Sequence, residues 1–159
     1  MVAELQRINS ILVTTDLSLE AQCAFGMAAS LMQAYGCSLT LLTCINTSPQ
    51  YSEASLGAFE APIALSPQTV TDTYNELEQS LKESLSDYFK SSRANYHIIQ
   101  APVAVEHSIV TYITDNEPGL VVMSSHGRSG IRRAFLGSVT EYVLRHCKVP
   151  VLVVPIKAR

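Results

Sequence analysis

Five short apolar runs alternate with four longer stretches of helical periodicity along this chain, and that alternation confines it to a small set of folds. The runs are Ile8 to Thr14, Ser38 to Asn46, Tyr96 to Ala101, Leu120 to Met123 and Pro150 to Pro155, each of strand length and rich in β-branched or aliphatic residues. Between the first two, Ser18 caps a predicted helix that runs to about Tyr35, where Gly36 stops it. Ser66-Pro67 opens a second helix, whose Val70, Tyr74, Leu77, Leu81, Leu85 and Tyr88 recur every three or four residues as far as about Ser92. Glu78 and Lys82 stand four apart on its solvated side. A third helix spans Val105 to Asn116 through Ile109, Tyr112 and Ile113 and ends at Pro118-Gly119; a fourth covers Ser138 to His146. This β-α-β-α-β-α-β-α-β order argues an α/β fold: a doubly wound open sheet of five parallel strands, with helices on both faces joined by right-handed crossovers. The alternation alone leaves both common doubly wound strand orders open.

A chain of 159 residues suits one domain, 1–159, with a substantial core and no room for a second. One connection is unusually long. Thr47 to Ser66 carries no sustained period, and such a span reads either as a lid over a site or as an insertion without structure of its own. A net charge of -3 gives no broad attraction to nucleic acid, which is not an expected partner. The apolar runs are too short to cross a membrane, and the opening MVAELQR lacks the apolar stretch of a secretory signal. The expected location is the cytoplasm. Cys23, Cys37, Cys44 and Cys147 form no C-x-x-C pair; they read as buried free thiols in preference to a metal site or a redox centre.

Chemistry concentrates between Val121 and Val139, in VVMSSHGRSGIRRAFLGSV, where a strand passes into a helix through a glycine-containing turn. Gly127, Gly130 and Gly137 can adopt positive φ and admit a ligand close to the backbone. Gly137-Ser138 then opens a helix whose first N–H groups and positive dipole end favour a phosphate. Neither the Gly-Lys-Ser/Thr ending of a Walker loop nor a G-x-G-x-x-G fingerprint is present. Arg128, Arg132 and Arg133 can neutralise phosphate charge, with plain surface solvation the competing role, and His126 can reach the same group. After the first strand, Asp16 can accept hydrogen bonds from a ribose hydroxyl or an adenine amino group, or serve as a helix cap.

The spacing Ser124-x-x-Gly127, nine residues, then Gly137-Ser138 resembles the G-x2-G-x9-G-S/T signature of the nucleotide-binding branch of the universal stress protein family. ILVTTDLS at Ile11 to Ser18 and VPVLVVP at Val149 to Pro155 are similar to the two ends of that family. Ser124 is the departure, standing where the signature has its first glycine. The resemblance implies strand order 3-2-1-4-5, with the carboxyl ends of strands one and four adjacent at the ligand crevice. It implies ATP or another adenine nucleotide as ligand, with or without Mg2+ or Mn2+, whose ligands the sequence does not name. It assigns Asp16 to the nucleoside, with Thr14 at a position often held by proline, and the backbone of Cys44 to the adenine. Met123 precedes the signature, and Val139 lies just inside the helix that completes it. It also implies a homodimer through Val151 to Val154, an apolar edge strand that would otherwise expose unpaired backbone groups.

No Walker lysine, paired carboxylates for magnesium or nucleophile elbow can be assembled, so fast catalysis is not expected. Three readings remain in order. The first is a nucleotide-binding stress-response protein in which ATP changes conformation or affinity for an unidentified protein partner. The second is a dimeric interaction module that works without nucleotide, and the third a slow ATP-cleaving enzyme.

Overall fold

The computed structural model describes residues 7–48, 65–126 and 136–156. The expectations for the span 49–64 and for Gly127, Arg128, Gly130, Arg132 and Arg133 lie outside the described residues. The elements follow the expected alternation: β1 (Ser10–Thr14), α1 (Leu19–Tyr35), β2 (Ser38–Asn46), α2 (Pro67–Ser84) running into a π-helical turn (Leu85–Phe89), β3 (Ala94–Ala101), α3 (Val105–Asn116), β4 (Leu120–Ser124), α4 (Ser138–His146) and β5 (Val151–Val154). The five strands form one sheet in the order β3-β2-β1-β4-β5, and every pairing is parallel. Its central strands are buried on both faces, which is why they read as continuous apolar runs.

Two apolar layers cover the sheet. On one face Ile11, Val13, Leu39 and Leu41 meet Phe25 and Ala28 of α1 and Leu81 of α2. On the other, Leu12, Leu42, Val121 and Met123 meet Ile109 and Ile113 of α3 and Val143 of α4. Alternate residues of each strand thus serve opposite layers, as the two-residue strand period requires.

The local signals sit where the caps predict. Ser18 Oγ accepts from the Ala21 N–H at 3.1 Å, and Ser66 Oγ accepts from the Thr69 N–H at the same distance. Gly36 ends α1 with φ 61°, a left-handed conformation that a side chain would resist.

The second helix departs most from expectation. Its α-helical geometry ends at Ser84, and the π turn that follows adds a residue to the last coil, after which Lys90 adopts φ 36°. That extra residue shifts the apolar face and turns Phe89, outside the expected 3.6-residue stripe, into the core at 4% exposure. Phe89 packs 5.8 Å from Phe25 between ring centroids, and Tyr88 meets the edge of the same ring at 5.3 Å. At its other end α2 leaves Tyr74 41% exposed, so its first turns are not the continuous core stripe that the spacing suggested. Glu78 and Lys82 do pair, at 3.2 Å on the surface. Smaller differences concern ends: β3 begins two residues before Tyr96, β4 includes Ser124, and the prolines at 150 and 155 flank β5.

Candidate functional site

β1 and β4 are neighbours, and the helices that follow them depart to opposite faces, α1 to one layer and α4 to the other. Beyond their carboxyl ends lies a crevice of about 610 Å³, within the range of small-molecule sites. It gathers Thr14, Asp16 and Cys44 from the first half of the chain with Met123, Ser124 and His126 from the second. Gly137, Ser138 and Val139 at the start of α4 complete that wall.

The turn after β1 is tied down by its own side chains. Thr15 donates its N–H to Leu42 O at 2.9 Å, and its hydroxyl accepts the Leu17 N–H at 2.9 Å. Asp16 Oδ1 accepts from both the N–H and the hydroxyl of Ser18, at 3.0 and 2.6 Å. Asp16 therefore braces the start of α1 while lining the crevice; the capping role and the crevice position coexist. Leu17 is held at φ 61°, a conformation that costs a leucine about 1–2 kcal/mol and commonly accompanies a functional turn.

Cys44 lines the crevice, and the strand ladder gives the direction of its backbone groups. Leu42 O accepts from Thr15 on the β1 side, whereas Thr47 donates its N–H to Ala101 on the β3 side. Successive residues of a parallel strand face opposite neighbours, so the N–H and C=O of Cys44 point the same way as those of Leu42. The β1 ladder ends at Thr14 opposite Leu42, and Cys44 stands two residues farther on. Burial pushes its thiol pKa up to about 12, which disfavours the reactive thiolate. Burial also raises the thiols of Cys23 and Cys37; of the four expected buried thiols only Cys37 is fully buried, and Cys23, Cys44 and Cys147 are partly exposed.

Ser124, the residue in place of a glycine, is 7% exposed, and its hydroxyl donates to the His126 carbonyl at 2.6 Å. Its carbonyl accepts from Thr140 Oγ1 at 3.0 Å, and the Gly137 N–H donates to Ser125 O at 2.8 Å. These bonds stitch the start of α4 to the end of β4. Gly137 has φ -61° and ψ 148°, so positive φ is not the reason for glycine here. A Cβ there would meet Ser125 O at 3.4 Å and His126 Cα at 3.5 Å, ordinary contacts. Glycine keeps side-chain bulk away from the helix start, where the N–H groups of Ser138, Val139 and Thr140 lack intrahelical acceptors.

His126 Nε2 is buried and has no hydrogen-bond partner among the described residues, an arrangement that costs about 1–3 kcal/mol until something satisfies it. Asp16 and Glu76 bring carboxylates to the crevice, and among the described lining residues there is no lysine or arginine. Several lining residues escaped sequence reasoning: Thr15, Thr43 and Asn46, Thr73, Glu76 and Leu77 of α2, and Val105 and Ile109 of α3. The polar ones of α2 read as a solvated helix face; only Thr15, inside the Thr-Thr-Asp turn, carried a local hint.

Residues 7–155 match the model of the universal stress protein family. The chain is 28% identical over 94 residues to the universal stress protein MJ0577 of Methanocaldococcus jannaschii, an alignment covering 55% of this chain and 58% of that protein. The solved structure of MJ0577 superposes with a TM-score of 0.74 at 23% identity, over 96% of this chain and 99% of that one. A universal stress protein in complex with cAMP gives 0.62 at 20% identity, over 94% and 98%. The Archaeoglobus fulgidus protein in complex with dAMP gives 0.54 at 15%, over 91% and 95%. At these identities the structural likeness establishes the fold. The chain spans between 16% and 58% of the length of the curated relatives it matches.

Proposed function

This chain belongs to the universal stress protein family, and we propose that it binds an adenine nucleotide, ATP foremost, in the crevice between β1 and β4. The observation that carries the proposal is the convergence of Asp16, Cys44 and the start of α4 on one cavity. In this reading Asp16 and Cys44 hold the nucleoside, Thr14 and Met123 wall it, and the phosphates lie against Ser138 and Val139. Gly127, Arg128 and Gly130 would complete the phosphate side. The neighbours solved with cAMP and dAMP support the ligand class. An accompanying Mg2+ or Mn2+ would be held mainly by the phosphates, since the described residues offer no group of three or more His, Cys, Asp or Glu to ligate it.

Bound ATP acts here as a conformational ligand: it favours one arrangement of the crevice walls, and with it one affinity for a protein partner in the stress response, by the difference in its affinity for the two states. We assign the protein to the cytoplasm and to a homodimer paired through β5. The test is direct. Freshly purified protein is denatured and the released small molecules are separated and weighed; ATP, or saturable ATP binding by calorimetry with and without magnesium, is the expected result. No binding at millimolar ATP would leave the second reading, an interaction module without nucleotide, which the Ser124 side chain on the crevice wall favours.

A further inference from the structure

His126 Nδ1 lies 3.1 Å from Ser125 Oγ, and the same hydroxyl accepts the Ile156 N–H at 3.3 Å. Ser125 is itself fixed, its N–H donating to Val154 O at 2.9 Å, and it is only 9% exposed. Two proton arrangements are open. With the proton on Nδ1, both neighbours donate to Ser125, and its own hydroxyl hydrogen finds no acceptor among the described residues. With Nδ1 bare, the hydroxyl donates to it and accepts from Ile156, so Nδ1, the hydroxyl and the Ile156 N–H are all satisfied. The second arrangement puts the imidazole proton on Nε2, the atom without a partner among the described residues.

We infer that Ser125 holds His126 as the Nε2–H tautomer and that His126 is a hydrogen-bond donor to an anionic group of the ligand, a phosphate in the nucleotide reading on which this inference rests. His126 lines the crevice together with Gly137 and Ser138, and its Cα is 3.5 Å from the point where a Gly137 side chain would start. Its donor therefore shares a wall with the first N–H groups and positive dipole end of α4, a pairing that selects negative charge. Ser125 is the positioning residue, and the two backbone bonds from the end of β5 orient it.

The experiment compares adenosine, AMP and ATP by calorimetry on the parent, His126→Leu, His126→Gln and Ser125→Ala proteins, with long-range nitrogen NMR of the histidine rings. The parent should show His126 protonated at Nε2, with that resonance moving when ATP is added. His126→Leu should weaken AMP and ATP about ten- to hundredfold, the loss of one charge-assisted donor, and leave adenosine unchanged. His126→Gln should recover part of the loss, and Ser125→Ala should mix the tautomers with a smaller loss. An Nδ1-protonated parent, or equal losses for adenosine and ATP, or ATP affinity unchanged in His126→Leu, overturns the inference alone. A parent that binds none of the three ligands overturns the nucleotide reading and this assignment with it.

Discussion

The hydroxyl of Ser124 donates to the carbonyl of His126 at 2.6 Å, so the side chain that replaces a glycine closes the first turn after β4 while its Cβ adds to the crevice wall. The two effects can be separated. Ser124→Ala removes the hydrogen bond and keeps the Cβ, whereas Ser124→Gly removes both. We expect each to lower stability by about 1 kcal/mol, with the glycine variant lower by a further few tenths through backbone entropy. Against Ser124→Ala, Ser124→Gly should bind ATP severalfold more tightly, because only it clears the wall. Calorimetry and urea unfolding measure both; equal affinities would show that the Cβ does not crowd the ligand.

Gly137→Val should abolish ATP binding and leave the fold intact. With φ -61° and ψ 148° the position accepts any side chain, and the added Cβ makes ordinary contacts. Loss of binding therefore comes from a blocked helix start, not from strain. Parent-like circular dichroism, a thermal midpoint lowered slightly by the poorer N-cap, and no calorimetric signal are the expected results; retained ATP affinity would place the phosphates elsewhere.

Asp16 has two duties, and two substitutions divide them. Asp16→Ala loses the acceptor for Ser18 and should cost about 1 kcal/mol of stability in addition to its nucleoside hydrogen bonds. Asp16→Asn keeps an oxygen acceptor for the Ser18 N–H and hydroxyl, so its unfolding midpoint should stay near the parent's, while ATP affinity falls by the charge-assisted part of the interaction. Parallel losses of stability in both variants would mean that the charge itself holds the turn.

β5 offers an edge test of the dimer. Val121 donates its N–H to Pro150 O and Ser125 to Val154 O, so the even-numbered residues of β5 face β4 and the N–H of Val153 faces outward. Val153→Pro deletes an outward donor and leaves the β4 ladder with all its own. Sedimentation should show a dimer for the parent, and a monomer for Val153→Pro with near-parent circular dichroism. A monomeric parent at micromolar concentration would refute the seam. Val153→Lys should weaken the dimer as well.

The Cys44 thiol, pushed up to about 12 by burial, should resist alkylation near neutral pH in the folded protein and react as soon as the chain unfolds. The folded state keeps this proton between the ordinary value of 9.0 and about 12, where the unfolded chain has lost it. Stability must therefore fall as pH rises through that window. Replacing Cys44 by Ala should flatten that part of the stability profile, as followed by denaturant midpoints.

The fold was legible in the sequence because its determinants are local. Run length and periodicity decide whether backbone groups pair within a helix or across a sheet, and Ser18, Ser66 and Gly36 mark ends through bonds to residues a few positions away. The sequence by itself thus determined the element order, the parallel α/β class and, through the spacing from Ser124 to Ser138, where to look for a ligand. Tertiary structure decided the rest. It alone turned Phe89 into the core through a π turn, brought Thr73 and Glu76 to the crevice and aimed the Ser124 hydroxyl at the His126 carbonyl. It also placed Ile156 against Ser125, 31 residues away along the chain. A polar residue on a helix looks the same in sequence whether it faces water or a cavity wall. The partner that settles a hydroxyl's direction or an imidazole's proton comes from another strand, and only packing of the whole chain brings it within hydrogen-bond distance.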